Sequence, residues 1–213
     1  MQVKIRIRYI HILFTKKEFK ILLVPCGTNE YTFPILPNPA PFQDQSHPAE
    51  GPDQHQVTNN QFIGLADRVP VLMHLDDEKH LALDYYILNR VKIRLATPES
   101  GRWFDLQQAQ QLNSEIAAVI TKTLQKLREE LNYQPIEYHL LQTTFSMSEL
   151  QRLYELLLDK RLDRGNFSKK IISLDIVNSS FTKRKVQRYK APTLFRFNKN
   201  YFDKKGKGMY KTF

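Results

Sequence analysis

Asn166, Ser168, Lys169 and Lys170 fall close together in one short segment, and Lys183, Arg184, Lys185, Arg188 and Lys190 crowd a second one further on. Amide, hydroxyl and ammonium groups supply the donors and acceptors that read base edges, whereas a run of Lys and Arg neutralises phosphates without reading sequence. The chemistry these residues offer is duplex binding, not bond making. Ser148 and Arg164, each at the start of an expected helix, complete the set of candidate DNA contacts.

The elements that must position them are legible on either side. Ser146 followed by Glu149 fits a capping box, and Leu150, Leu153, Tyr154, Leu157 and Leu158 then recur at the spacing of one buried helical stripe. Lys160 to Leu162 break the pattern, and Asp163 offers a second N-cap. From Arg164 to Leu174 a shorter helix is expected, with Phe167, Ile171 and Leu174 inward. At about 100° per residue, Asn166, Lys169 and Ser173 then face outward, with Ser168 and Lys170 on the flanks. Ile172 is exposed on the same wheel, where it meets either a thymine methyl or a partner helix. Strands are expected at Ile176–Ser180 and Leu194–Phe197, with the basic run from Lys183 to Lys190 as the hairpin tip between them. Helix, helix, strand, basic loop, strand is the order of a winged helix.

Charge is distributed accordingly. The chain of 213 residues carries a formal net charge of +10. Residues 160 to 213 hold 16 Lys and Arg against 3 acids, a balance of +13, which leaves −3 for residues 1 to 159. Such asymmetry marks a segment that meets a polyanion; the competing reading is a solvated basic face. A single cysteine, Cys26, excludes an intrachain disulfide and a cysteine-based zinc site, suits a reducing compartment, and is expected to be buried as a small apolar side chain. No run approaches 18 apolar residues and no cleavable signal pattern is present, so a soluble cytoplasmic protein without membrane contact is expected.

Upstream, Val3–Tyr9 alternates as a strand, Ile10–Phe14 continues it, and Phe19–Pro25 returns after a polar turn, which reads as a hairpin. Seven prolines between Pro25 and Pro52 exclude regular structure there. His47 and His55 lie in this stretch beside Asp44, Glu50 and Asp53, but no spacing matches a metal-ligand pattern, so no metal is assigned. Pro70–Leu75 and Leu81–Leu95 read as strands, Gln107–Leu112 and Ser114–Leu131 as helices, and Pro135–Gln142 as a bridge between domains. In the longer helix Ile116, Val119, Ile120, Thr123, Leu124 and Leu127 form the inward stripe.

The order Trp103-Phe104-Asp105-Leu106, long helix, Leu131-Asn132-Tyr133-Gln134-Pro135-Ile136, then Phe145 to Glu155 and Leu162 to Lys170, resembles the Nudix-related transcriptional regulators of the NrtR type. The resemblance is specific over roughly residues 100 to 197. It implies an α+β chain in which a Nudix-like α/β/α sandwich is followed by a winged helix-turn-helix domain. The expected boundaries are 1–135, 136–200 and a basic tail at 201–213. It further implies a bacterial homodimer, associated with the nucleoid, that grips a palindromic double-stranded DNA operator. The Nudix-like domain would sense a small molecule, either a nucleotide of the ADP-ribose type or, as in some gut-bacterial members, a pentose sugar. No effector residue follows from it, and Tyr9, Phe33, Phe42, Phe62, Tyr85, Tyr86 and Trp103 are expected in the core rather than in a ligand pocket.

A catalytic Nudix hydrolase needs an Arg-Glu-x-x-Glu-Glu core whose carboxylates hold Mg²⁺. Residues 34 to 80 contain no such cluster; Asp76-Asp77-Glu78 reads as a turn, and Glu129-Glu130 after Arg128 belongs to the late helix. The box helix is therefore expected to be lost, with no catalysis and no cofactor. Two readings compete with gene regulation: a divergent Nudix-type nucleoside-diphosphate hydrolase, and an RNA-binding basic protein.

Overall fold

The computed structural model describes residues 5–35, 61–63, 70–75, 80–89, 101–132, 136–183, 193–198 and 200, with only the backbone of 61–63 and 181–183. In chain order the elements are β1 (Ile5–Phe14), β2 (Phe19–Gly27), β3 (Glu30–Thr32), β4 (Gln61–Ile63), β5 (Leu72–Leu75), β6 (Leu81–Asn89), β7 (Arg102–Asp105), α1 (Leu106–Leu112), α2 (Ser114–Glu130), α3 (Ile136–Leu140), β8 (Phe145–Ser146), α4 (Met147–Leu158), α5 (Arg164–Ser173), β9 (Val177–Lys183) and β10 (Thr193–Phe197). They divide into two compact units, one of residues 1–13 with 19–126 and the other of residues 14–18 with 127–213. The metal-site residues considered at His47 and His55, the Asp76–Glu78 run, the Arg184–Lys190 segment and the tail lie outside the described residues.

The first unit is built on a mixed sheet with the order β3-β2-β1-β6-β4, in which β5 also pairs with β6 and β7 with β2. β1 and β6 run parallel with Ile5 opposite Leu81 and Leu13 opposite Asn89. β1 is an inner strand between β2 and β6, and its second half is buried on both faces from Arg8 to Phe14, so the period-two alternation of the sequence fades there. The expected hairpin is present: β1 and β2 are neighbours joined by the turn in which Thr15 N–H donates to the Glu18 carbonyl at 2.9 Å.

Three expectations are corrected. The stretch from Pro25 to Pro52 is not free of regular structure, since Glu30–Thr32 form β3 against the end of β2. Trp103 and Tyr85, expected in the core, are only half-buried; Trp103 lies with its neighbours in β7, which pairs antiparallel with Lys20–Leu23 of β2. Four residues are too few for sequence periodicity to declare a strand. Cys26 is exposed, because the β2–β3 register shifts between Pro25 and Gly27 and leaves it at the irregularity.

Parallel pairing places Arg8 opposite Asp84, and the two make a buried two-point contact: Nε donates to Oδ1 at 2.7 Å and Nη2 to Oδ2 at 3.0 Å. Nη1 donates to Glu115 of α2 at 2.5 Å, and His74 Nε2 lies 3.1 Å from Nη2 and 3.3 Å from Glu115 Oε1. The Phe33 ring covers the guanidinium at 5.6 Å. Burial opposes the Arg8 charge, but the two carboxylates outweigh it and raise its pKa; burial likewise opposes the Glu115 charge, and Arg8 and His74 pull its carboxyl below the usual range.

On the other face of the same strands, His11 is buried beside Asn89, whose amide nitrogen donates to the carbonyls of Ile12 at 3.2 Å and Ile87 at 3.1 Å. Burial lowers the His11 pKa from 6.5 to about 4, against a small opposing effect of Asn89. Since the folded pKa lies below the unfolded one, the unfolded chain takes up the proton first, and stability is lost as pH falls between those two values. The loss attributable to His11 approaches about 3 kcal/mol once both states are protonated. Thermal melts of wild type and His11→Gln should therefore diverge in slope between pH 6.5 and 4, with the variant losing less stability.

Candidate nucleic-acid interface

The second unit packs α3, α4 and α5 with a three-stranded sheet ordered β8-β10-β9. Helix α3 corrects the expected bridge: Ile136 and Leu140 are buried, and Glu137 Oε1 accepts from the Tyr154 hydroxyl at 3.3 Å. β8 is likewise additional, pairing Phe145 with Phe195 and Ser146 with Leu194.

Helix α4 begins where the sequence placed it. Ser146 Oγ accepts from the Glu149 N–H at 3.2 Å, and Glu149 Oε2 accepts in return from the Ser146 N–H at 2.7 Å. Leu150, Leu153, Tyr154 and Leu157 are buried as expected. The helix closes on Asp159 in the left-handed region, at φ 53°, ψ 42°. That single left-handed residue reverses the chain toward α5.

The reversal is held by side chains of α4. Glu155 Oε1 accepts from the Leu162 N–H at 3.1 Å and from Gln151 Nε2 at 3.3 Å, while Gln151 Nε2 also donates to the Leu162 carbonyl at 2.9 Å. The Leu162 N–H holds the Glu155 carboxyl below its usual pKa against some burial, with help from Gln151, Arg161 and Arg152. Asp163 then caps α5, accepting from the Asn166 N–H at 2.8 Å.

Helix α5 seats Phe167 and Ile171 in the core, with the Phe167 ring edge-on to Tyr154 at 5.5 Å. Leu174, expected on the same stripe, is only half-buried because the helix ends at Ser173. Arg164, Asn166, Lys169, Lys170, Ile172 and Ser173 are exposed, and Ser168 is half-buried. Among the described residues, the side chains of Asn166 and Lys169 have no hydrogen-bond or ion-pair partner, so the fold makes no use of them. Ser148 is exposed at the first turn of α4.

Beside the turn lies an open cleft of about 290 Å³ lined by Lys160, Arg161, Asp163, Asn166 and Lys170, with Leu162 and Phe167 as its apolar part. Lys160 and Arg161 were read in the sequence only as pattern breakers. Their signal was the local excess of positive charge, which begins at Lys160. β9 and β10 pair antiparallel with Phe197 opposite Val177 and Thr193 opposite Lys183, so Lys183 ends β9 and residues 184–192 connect the two strands. Arg184, Lys185, Arg188 and Lys190 belong to that connection.

Residues 137–197 match the family model of the NrtR DNA-binding winged helix domain. This segment is similar to the NrtR-type winged helix. The match takes in α3 to β10, including both elements that periodicity missed. No curated protein sequence matches the chain. Among solved structures, Shewanella oneidensis NrtR matches with a TM-score of 0.62 at 17% identity over 98% of this chain and 97% of that one. Shewanella oneidensis NrtR complexed with a 27mer DNA matches at 0.59 and 17% identity over 93% and 95%. A MutT/nudix family protein from Enterococcus faecalis matches at 0.55 and 12% identity over 93% and 89%. The NrtR fold, a Nudix-like domain followed by a winged helix, thus extends over nearly all of the chain, and the expected resemblance to NrtR-type regulators holds.

Replacing Glu155 with Ala removes the acceptor for the Leu162 N–H and should cost about 1 kcal/mol of stability. Because its folded pKa is depressed, that contribution is complete above the ordinary value of 4.5 and fades as pH falls through the lower folded value. Denaturant melts of wild type and Glu155→Ala should differ at pH 7 and converge in acid.

Proposed function

We propose that the protein is a sequence-specific transcriptional regulator that binds double-stranded DNA through its winged helix. Helix α5 enters the major groove, and the β9–β10 hairpin, with Lys183, Arg184, Lys185, Arg188 and Lys190, lies along the phosphates. The observation that carries this reading is the division of α5 into a core face, Phe167 and Ile171, and an exposed face whose Asn166 and Lys169 serve no role in the fold. The match to the NrtR DNA-binding winged helix supports it. Asn166, Ser168 and Lys169 face base edges; Arg164, Lys170 and Ser148 reach the backbone, with Lys160 and Arg161 adding positive charge beside them.

The first unit acts in this reading as a catalytically inactive sensor of a small metabolite, a sugar or a nucleotide derivative. The missing Arg-Glu-x-x-Glu-Glu core between residues 34 and 80 supports inactivity. Two copies bind one palindromic operator, since the two-fold symmetry of such a site matches that of a dimer. The protein acts in the bacterial cytoplasm at the nucleoid; no described helix is long and apolar enough to cross a membrane.

A site selected from a random duplex library tests this. Binding to the selected duplex should fall steeply with salt, by a slope of about −0.9 for each phosphate contact. Asn166→Ala should weaken that duplex by roughly 5- to 150-fold and relax preference at one position, while Lys183→Ala should weaken all duplexes alike. Equal affinity for every duplex would overturn sequence-specific regulation. Mg²⁺-dependent turnover of a nucleoside diphosphate derivative would overturn the inactive sensor and favour the hydrolase.

A further inference from the structure

Ile171 and Ile172 are adjacent in sequence and opposite in fate: Ile171 is fully buried, whereas Ile172 is 58% exposed. Burying Ile171 against the core accounts for one of them. Among the described residues nothing accounts for the other. Ile172 lies on the outward side of α5, one turn beyond Lys169 and beside Ser173, both exposed. Gly165, Lys169 and Ile172 form a single outward row, at the i, i+4 and i+7 positions. A Cβ at Gly165 would meet only the Asp163 carboxylate oxygen at 3.4 Å, so packing does not demand a glycine there, and the amino-terminal end of the row is left without a side chain. From Asn166 to Ile172 the helix rises about 9 Å, close to three base-pair steps.

On a surface that hydrogen-bonds base edges, an isolated branched hydrocarbon matches one feature of the major groove. The only apolar group that unmodified DNA presents there is the 5-methyl of thymine. We propose that Ile172 is a specificity-determining residue that packs on a thymine methyl, so that the preferred site carries an obligatory thymine at the position facing the carboxyl-terminal turn of α5. This rests on α5 being the helix that enters the groove. The contact selects thymine by shape and apolar burial alone, and the amide and ammonium groups of Asn166 and Lys169 select neighbouring bases by hydrogen bonding.

The test uses the full chain and the duplex it selects, with each thymine replaced in turn by uracil, which keeps every hydrogen-bonding group and lacks only the methyl. Fluorescence anisotropy with wild type should show a loss of about three- to fivefold at one position per half-site, the scale of one buried methyl group. Ile172→Ala should bind the parent duplex more weakly by a similar factor and bind the uracil duplex equally well, abolishing the difference at that position alone. Its melting temperature should match wild type, because the side chain is exposed. Uracil substitutions without effect, or an Ile172→Ala variant that still discriminates, would overturn the inference while leaving selective DNA binding intact. Equal losses on both duplexes together with a changed oligomeric mass would assign Ile172 to a contact between copies and overturn it as well. Failure to select any sequence would overturn the inference together with the reading on which it rests.

Discussion

Leu162 is gripped on both sides of its Cα by α4: Glu155 accepts its N–H and Gln151 donates to its carbonyl. Two successive peptide groups held this way fix the direction in which the chain leaves the turn, and so the angle at which α5 departs. Asp159, left-handed at the end of α4, supplies the reversal, and the Asp163 side chain accepts the Asn166 N–H in the first turn of the next helix. Every exposed side chain on α5 inherits its position from these few contacts. The exposed face of α5 is a consequence of a turn that contributes little to it directly.

The first unit depends on a different kind of constraint. Arg8 is 4% exposed and Asp84 is fully buried, and each would be costly without the other. Glu115 and His74 complete the ring of polar partners, so α2 and β5 are tied to the centre of the sheet through one guanidinium. The pairing also fixes register. Sliding β6 by one residue against β1 would turn Asp84 to the opposite face and leave Arg8 buried without it. His11 and Asn89, on the reverse face, show the opposite economy: Asn89 satisfies two carbonyls, while the imidazole is held neutral by burial.

How much of this was legible in the sequence follows from how local each cause is. Ser146 with Glu149, Asp163, and the stripes of α4 and α5 act within a few residues, and they located the two helices nearly to the residue. The outward position of Asn166 and Lys169 followed from helical geometry in the same way. α3 was missed because it is five residues long and carries no full amphipathic repeat. β7 was missed because its reason for being a strand is β2, some eighty positions earlier. Arg8 and Asp84, 76 positions apart, are individually unremarkable charged residues in alternating strands, and only the parallel pairing makes them partners. Cys26 was misread because residue type favours burial, while a local irregularity in register decided its exposure.

The composition of α5 carries one more implication. Its ten residues include Gly165, Asn166, two serines and two isoleucines, all poorer helix formers than alanine, and isolated helices of this length are marginal in water even for favourable sequences. Cut free, the segment would be an unstructured peptide. Its shape is borrowed from Phe167 and Ile171 seated against the rest of the unit and from the Asp163 carboxylate at its head. Any event that loosened those anchors would erase the exposed face of α5 outright.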